Sequence, residues 1–81
     1  MNPDIDNGIV VESTEEIGSL IRLVRKEQGI KQVVAAGLFG SGNRFISEAE
    51  NGKKTLQAQK LIDLMNMVGL EVVVRRKRAR A

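Results

Sequence analysis

The chain is 81 residues long, enough for one small domain with a limited core and little room for a catalytic cleft. It has no Cys and no His, which removes disulfides, thiol nucleophiles, Cys/His zinc sites and the usual neutral-pH general base, so no enzyme, metal or cofactor is expected. The net charge of +3 is unevenly spread: residues 1 to 16 hold Asp4, Asp6, Glu12, Glu15 and Glu16 with no Lys or Arg, leaving 65 residues in which 13 cations face five acids, net +8. Such a basic body suits a polyanionic partner, with a well-solvated basic surface as the plain alternative.

No apolar run approaches the roughly 20 residues that cross a bilayer. The opening Met-Asn-Pro-Asp-Ile-Asp lacks the basic start and apolar middle of a signal peptide, and a soluble, cytoplasmic protein is expected.

Residues 1–12 read as an irregular acidic leader with one short apolar run, Ile9, Val10 and Val11. Ser13 and Glu16 then have the spacing of a capping box. Ile17, Leu20, Ile21 and Val24 recur at i, i+3, i+4 and i+7 and give one apolar stripe. Arg22, Arg25 and Lys26 complement the C-terminal end of the helix dipole, and Gly29 supplies a left-handed stop, so a helix is predicted from about Thr14 to Gln28.

The segment "KQVVAAGL" is short and apolar, and by periodicity alone it fits a strand or a helix. Gly37 to Gly42 matches G-x-x-x-x-G, the beginning of a phosphate-cradling loop, but Asn43 and Arg44 follow where that loop needs Lys and then Ser or Thr. The next stretch, "NRFISEAENG", has a helical pattern with Phe45, Ile46 and Ala49 apolar and Gly52 as terminator. Two short helices joined at Gly40 are what a helix-turn-helix requires. Ala36 is small where the helices approach, Gly40 takes the turn, and Ile46 anchors the second helix.

"TLQAQKLIDLMNMVG" is predicted as a further helix, capped by Thr55, buried along Leu61, Ile62, Met65 and Val68, and ended by Gly69. "LEVVVRR" changes period: Leu70, Val72 and Val74 share one face while Glu71, Val73 and Arg75 take the other, as in a strand. A lone strand needs a partner, and either Ile9 to Val11 or the same strand of a second subunit can serve. The chain closes on Arg75, Arg76, Lys77, Arg78 and Arg80. The organisation expected is an acidic leader 1–12, a helix-turn-helix domain 13–69, a strand 70–76 and a basic tail 77–81.

The ordered set Gln32, Ala36, Gly40, Ile46, Glu50 and Gly52, with "IRLVRKEQGIKQ" before it and "NRFISEAENGKK" across it, resembles the Xre-type helix-turn-helix proteins of phage repressors and bacterial antitoxins. Gly-Leu after the last helix, in "MNMVGLEV", is similar to the HipB-like antitoxin subgroup, and the resemblance covers roughly residues 13 to 75. It implies a mainly α, compact four- to five-helix domain of the lambda-repressor type whose C-terminal strand pairs across a homodimer.

The same resemblance implies a DNA-binding set. Gln32 would contact a phosphate and brace the recognition helix. Gly42, Asn43, Arg44, Ser47 and Glu48 would lie on the DNA side of that helix, and Asn51, Lys53 and Lys54 would hold the backbone. The chemistry agrees: Arg can fork onto guanine, Asn can pair with adenine, and Glu can accept from a cytosine amino group, while Lys suits phosphate. For Glu48 simple helix solvation is an equal alternative. Leu70, Val72, Val73 and Val74 would form the dimer strand, with Met65 and Val68 adding contacts from the last helix.

Several positions depart from the family pattern. Ser41 stands where an apolar residue usually packs, Lys31 replaces a Thr cap, and Ala35 replaces Leu, with Phe39 available to fill the room that is left. Val33 and Val34 occupy positions usually charged, as tolerated exposure or as a partner surface. The function implied is a repressor of its own operon that also serves as the antitoxin of a type II toxin-antitoxin system, binding palindromic double-stranded DNA and a HipA-like kinase toxin. A stand-alone Xre-type repressor, or a protein-interaction module on the same fold, are the alternatives.

Overall fold

The computed structural model describes residues 4–78; residues 1–3 and 79–81, Arg80 among them, lie outside the described part. A short 3-10 turn at Ile5–Asn7 precedes four helices: α1 (Thr14–Glu27), α2 (Gln32–Phe39), α3 (Asn43–Glu50) and α4 (Ala58–Val68). The ambiguous "KQVVAAGL" is thereby helical, and the glycine stretch is the elbow between two helices rather than a loop following a strand. Gly37 lies inside α2, Gly40 turns the chain at φ +73°, and Gly42 precedes α3.

α1 begins as the capping box predicts. The Ser13 hydroxyl accepts the Glu16 N–H at 3.1 Å, and the Glu16 carboxylate accepts from the Glu12 N–H and from the Ser13 hydroxyl. All four helices end alike, with a positive-φ glycine followed by an N–H that reaches five residues back: Ile30 to Arg25, Ser41 to Ala36, Lys53 to Glu48 and Leu70 to Met65. This Schellman closure satisfies the free carbonyls of each last turn and reverses the chain in few residues.

The core is a single cluster of Ile21, Ala36, Ile46, Ala49, Leu64 and Val68, one or two side chains from each helix. Ile17, Val24, Phe39, Phe45, Leu56, Leu61, Met65 and Leu70 pack around it half-buried. With so few fully buried side chains, close backbone approach matters as much as apolar area. A Cβ added at Gly18 of α1 would come within 2.6 Å of the Glu50 carbonyl oxygen of α3, so only glycine lets the two helices meet there.

Two expectations about the last helix are corrected. Thr55 does not cap α4: Leu56 turns toward the core, the chain runs through turns from 51 to 57, and the helix opens at Ala58 behind Gln57, whose side chain makes no cap bond. The fully buried residues of α4 are Leu64 and Val68, while Leu61, Ile62 and Met65 are half-buried. Val68 lies in the subunit's own core, as the apolar stripe predicts, and its carbonyl accepts from the Gln28 amide at 2.9 Å.

Residues 70–76 form no strand within the single chain. Among the described residues no backbone hydrogen bond joins them to Ile9, Val10 or Val11, so the internal pairing option is not taken. A ladder needs a facing edge, and one subunit leaves this segment none.

Candidate nucleic-acid interface

α3 is fixed from behind by a buried polar clamp. Arg25 of α1 donates from Nε to Glu50 Oε2 at 2.6 Å and from Nη2 to Glu50 Oε1 at 2.9 Å, and its Nη1 donates to the Ile30 carbonyl at 2.6 Å. Gln32, the first residue of α2, donates its side-chain amide to Glu50 Oε1 at 3.0 Å. One carboxylate at the end of α3 thus ties together α1, the α1–α2 turn and α2. No buried side-chain nitrogen or oxygen among the described residues is left without a partner.

The clamp explains its own ionisation. Burial alone would push the Glu50 carboxyl up, but the hydrogen bonds from Arg25 and Gln32, with the charges of Arg25 and Arg22, outweigh it and hold the group below its ordinary value. Hydrogen bonding to Glu50 raises Arg25, against the opposing effect of burial.

The opposite side of α3 is exposed. Gly42, Asn43 and Arg44 stand in solvent at the helix N-terminus, with the Arg44 side chain 87 % exposed. Ser47 and Glu48 sit one turn further on, half-buried, and Asn51, Lys53 and Lys54 are exposed in the turn that follows. That turn is held in place: the Thr14 hydroxyl donates to the Gly52 carbonyl at 2.7 Å, and Gly52 lies so close to Glu15 that a Cβ there would come within 2.5 Å of its Cα.

Arg44, Glu48 and Lys53 are brought together. Glu48 Oε2 lies 2.8 Å from Lys53 Nζ and 3.5 Å from Arg44 Nε. The Lys53 hydrogen bond, helped by both cations, draws the Glu48 carboxyl below its ordinary value. Glu48 is thus paired with two cations on this face. The Gln32 amide nitrogen is committed to Glu50 at the end of α3.

Beside this face, Phe39 of α2 and Phe45 of α3 stack with ring centroids 5.6 Å apart and planes at 9°, and Lys60 of α4 sits 4.6 Å over the Phe45 ring. Lys60 adds a cation from a third helix. Lys31 makes no side-chain cap bond at the start of α2, and Ser41 is half-buried in the elbow.

Sequence reasoning gave Arg25 to the helix dipole and missed its pairing with Glu50. A signal was present. Arg25 lies four residues after Ile21, and Glu50 four after Ile46, so each interrupts an apolar stripe with a charge, and two opposite charges on facing stripes imply a pair.

Two helices joined at a left-handed glycine, the second braced from behind and open in front, define a helix-turn-helix domain. The comparisons agree. The chain is 39 % identical over 62 residues to an uncharacterized HTH-type transcriptional regulator, y4mF, of Sinorhizobium fredii, covering 76 % of this chain and 82 % of that protein. No family model matches. A chain of the HipA-HipB-O2-O3 complex superposes with a TM-score of 0.77 at 18 % identity, covering 86 % of this chain and 99 % of that one. A chain of the HipB-O4 20mer complex gives the same score, identity and coverage. The protein belongs to the helix-turn-helix transcriptional regulators.

Proposed function

We propose that the protein is a sequence-specific repressor that binds a palindromic operator in its own promoter as a homodimer, and that as a HipB-like antitoxin it also binds a HipA-like kinase toxin encoded beside it. The observation that carries the DNA reading is the rigid presentation of one face: α3 is clamped through Glu50 while Asn43 and Arg44 at its start, and Lys53 and Lys54 in the turn after it, are exposed to solvent. Arg44 and Asn43 suit base edges in a major groove, and the two lysines suit phosphates, which fix register without reading sequence.

A two-fold dimer would set two such helices about 34 Å apart, one helical turn of DNA. The setting is then the bacterial cytoplasm, where operator and toxin are both found. The antitoxin part rests on the Gly-Leu resemblance, supported by the fold shared with a chain of the HipA-HipB-O2-O3 complex. Among the described residues no helix is long and apolar enough to cross a membrane.

A second reading, a module in which a protein partner dominates over DNA, is favoured by α2. Its outer face exposes Val33, Val34 and Leu38 at 61, 49 and 67 %, where the family usually carries charge on the first two. One experiment separates the readings: a gel shift with the chain's own upstream DNA, with and without the product of the neighbouring gene. A specific shift that the neighbour supershifts supports the antitoxin; a specific shift it leaves unchanged supports a stand-alone repressor; capture of the neighbour with no DNA shift supports the interaction module.

A further inference from the structure

Among the described residues no backbone hydrogen bond joins the leader to the C-terminal segment, yet they form the two walls of one groove of about 1390 Å³. Its floor is Ile17 and Leu20 of α1 with Met65 of α4, one wall is residues 5–12, and the other is residues 69–78. Small-molecule pockets span roughly 300–1000 Å³ and are mostly enclosed. This groove is larger, and its walls are the most exposed apolar residues of the chain's two ends, Val10 at 68 %, Val73 at 69 % and Val74 at 94 %. Among the described residues, Ile9 to Val11 on one wall and Glu71 onward on the other make no backbone hydrogen bond, which leaves both edges open to a strand.

We infer that the groove is filled by residues 70–76 of a second copy of this chain, which enter between the leader and the tail. The inference rests on the homodimer reading and extends it. A two-fold axis makes the insertion reciprocal, since each tail then lies between the other subunit's leader and the other subunit's tail. The result is a four-stranded sheet in the order leader, tail, tail, leader, in which Ile9, Val10 and Val11 supply the outer strand.

Charge selects this occupant. The leader wall bears Asp6 and Glu12, and the entering segment ends in Arg75 and Arg76, with Lys77 and Arg78 following it. In the central pair a register centred on Val73 sets Glu71 opposite the partner's Arg75 and Val72 opposite the partner's Val74, so opposite charges and like apolar groups face one another. The acidic leader thereby has a job: it closes the sheet edge and offsets the crowding of two basic tails.

The chain has no cysteine, so introduced thiols report cleanly. Val10→Cys or Val11→Cys protein is mixed with mass-tagged Val72→Cys or Val73→Cys protein, the four combinations covering both strand faces, and a mild oxidant is added. The expected result is a disulfide-linked heterodimer in at least one combination, several-fold more abundant than the leader-to-leader product. Tail-to-tail disulfides without any leader-to-tail product would overturn the insertion while leaving the dimer standing. A purely intrachain disulfide in the Val10→Cys/Val73→Cys double variant would also overturn it, with the leader closing on its own tail. Absence of every intermolecular product from a chain that sediments as a monomer would remove the dimer and the insertion together.

Discussion

The Arg25 guanidinium meets the Glu50 carboxylate edge to edge, through two hydrogen bonds of 2.6 and 2.9 Å, with the two side chains only 7 and 2 % exposed. The pair spans 25 residues of sequence and fixes the end of α3 against α1. With α3 held at that end, Asn43 and Arg44 are presented at the other.

Removing one partner leaves the other charge buried and alone. Arg25→Ala or Glu50→Ala should each destabilise the domain by about 3 kcal/mol, whereas replacing both together by Met and Leu should be much closer to neutral. Urea unfolding of the two single variants and the double variant measures the coupling; single variants that unfold like the parent would show that the clamp does not hold α3.

The same pair sets an acid limit. The Glu50 carboxyl is held below its ordinary 4.5 in the folded chain, so its contribution is fully present above the unfolded-state value and is lost as pH falls through the folded one. Melting temperature should therefore fall as pH drops from about 5 to about 3, and the fall should be shallower in the Met/Leu double variant. Glu48, lowered by its hydrogen bond from Lys53, adds a share of the same sign, and added salt should weaken this smaller surface share first. Thermal melts across pH at two salt concentrations separate the two.

Gly18 is the second anchor of α3. Gly18→Ala drives a Cβ against the backbone carbonyls of Ala49 and Glu50, which cannot swing aside as a side chain would. The helices must part, at a cost of about 1–3 kcal/mol. Unfolding of the variant measures the cost, and operator titration should show weaker binding because α3 moves with the gap.

On the outer face, Arg44→Ala should relax preference at one base pair in each half-site, while Lys53→Ala should weaken all sequences alike and reduce the salt slope by about 1. Glu48→Gln should do the reverse of Lys53→Ala. It frees Lys53 and Arg44 from the carboxylate they share, so non-specific binding should tighten and its salt dependence steepen. Fluorescence anisotropy on operator and random duplexes across salt reads all three. An unchanged operator preference in Arg44→Ala would remove it from base reading.

A proline at Val73 deletes one backbone donor and fixes a torsion in the segment expected to pair across the dimer. Val73→Pro should lower the dimer population in micromolar sedimentation and reduce operator affinity more than any single surface change. A variant that stays dimeric with full affinity would place the subunit contact elsewhere.

What the sequence determined by itself is local. The Ser13–Glu16 box, the apolar stripe of α1, the glycines that close α1, α2, α3 and α4, and the helix-turn-helix elbow at Gly40 are each written within a few residues, because caps, helical periodicity and left-handed turns are short-range chemistry. Tertiary structure decided what depends on two distant segments meeting. Arg25 serves Glu50 rather than a helix end because α1 and α3 cross there, and Gly18 is glycine because their backbones touch at that crossing. α4 starts at Ala58 rather than behind Thr55, with Leu56 packed against the core ahead of it. Residues 70–76 show the same division: the alternation that marks a strand is present in the sequence, but a strand exists only beside another, and one folded subunit leaves that edge unmatched.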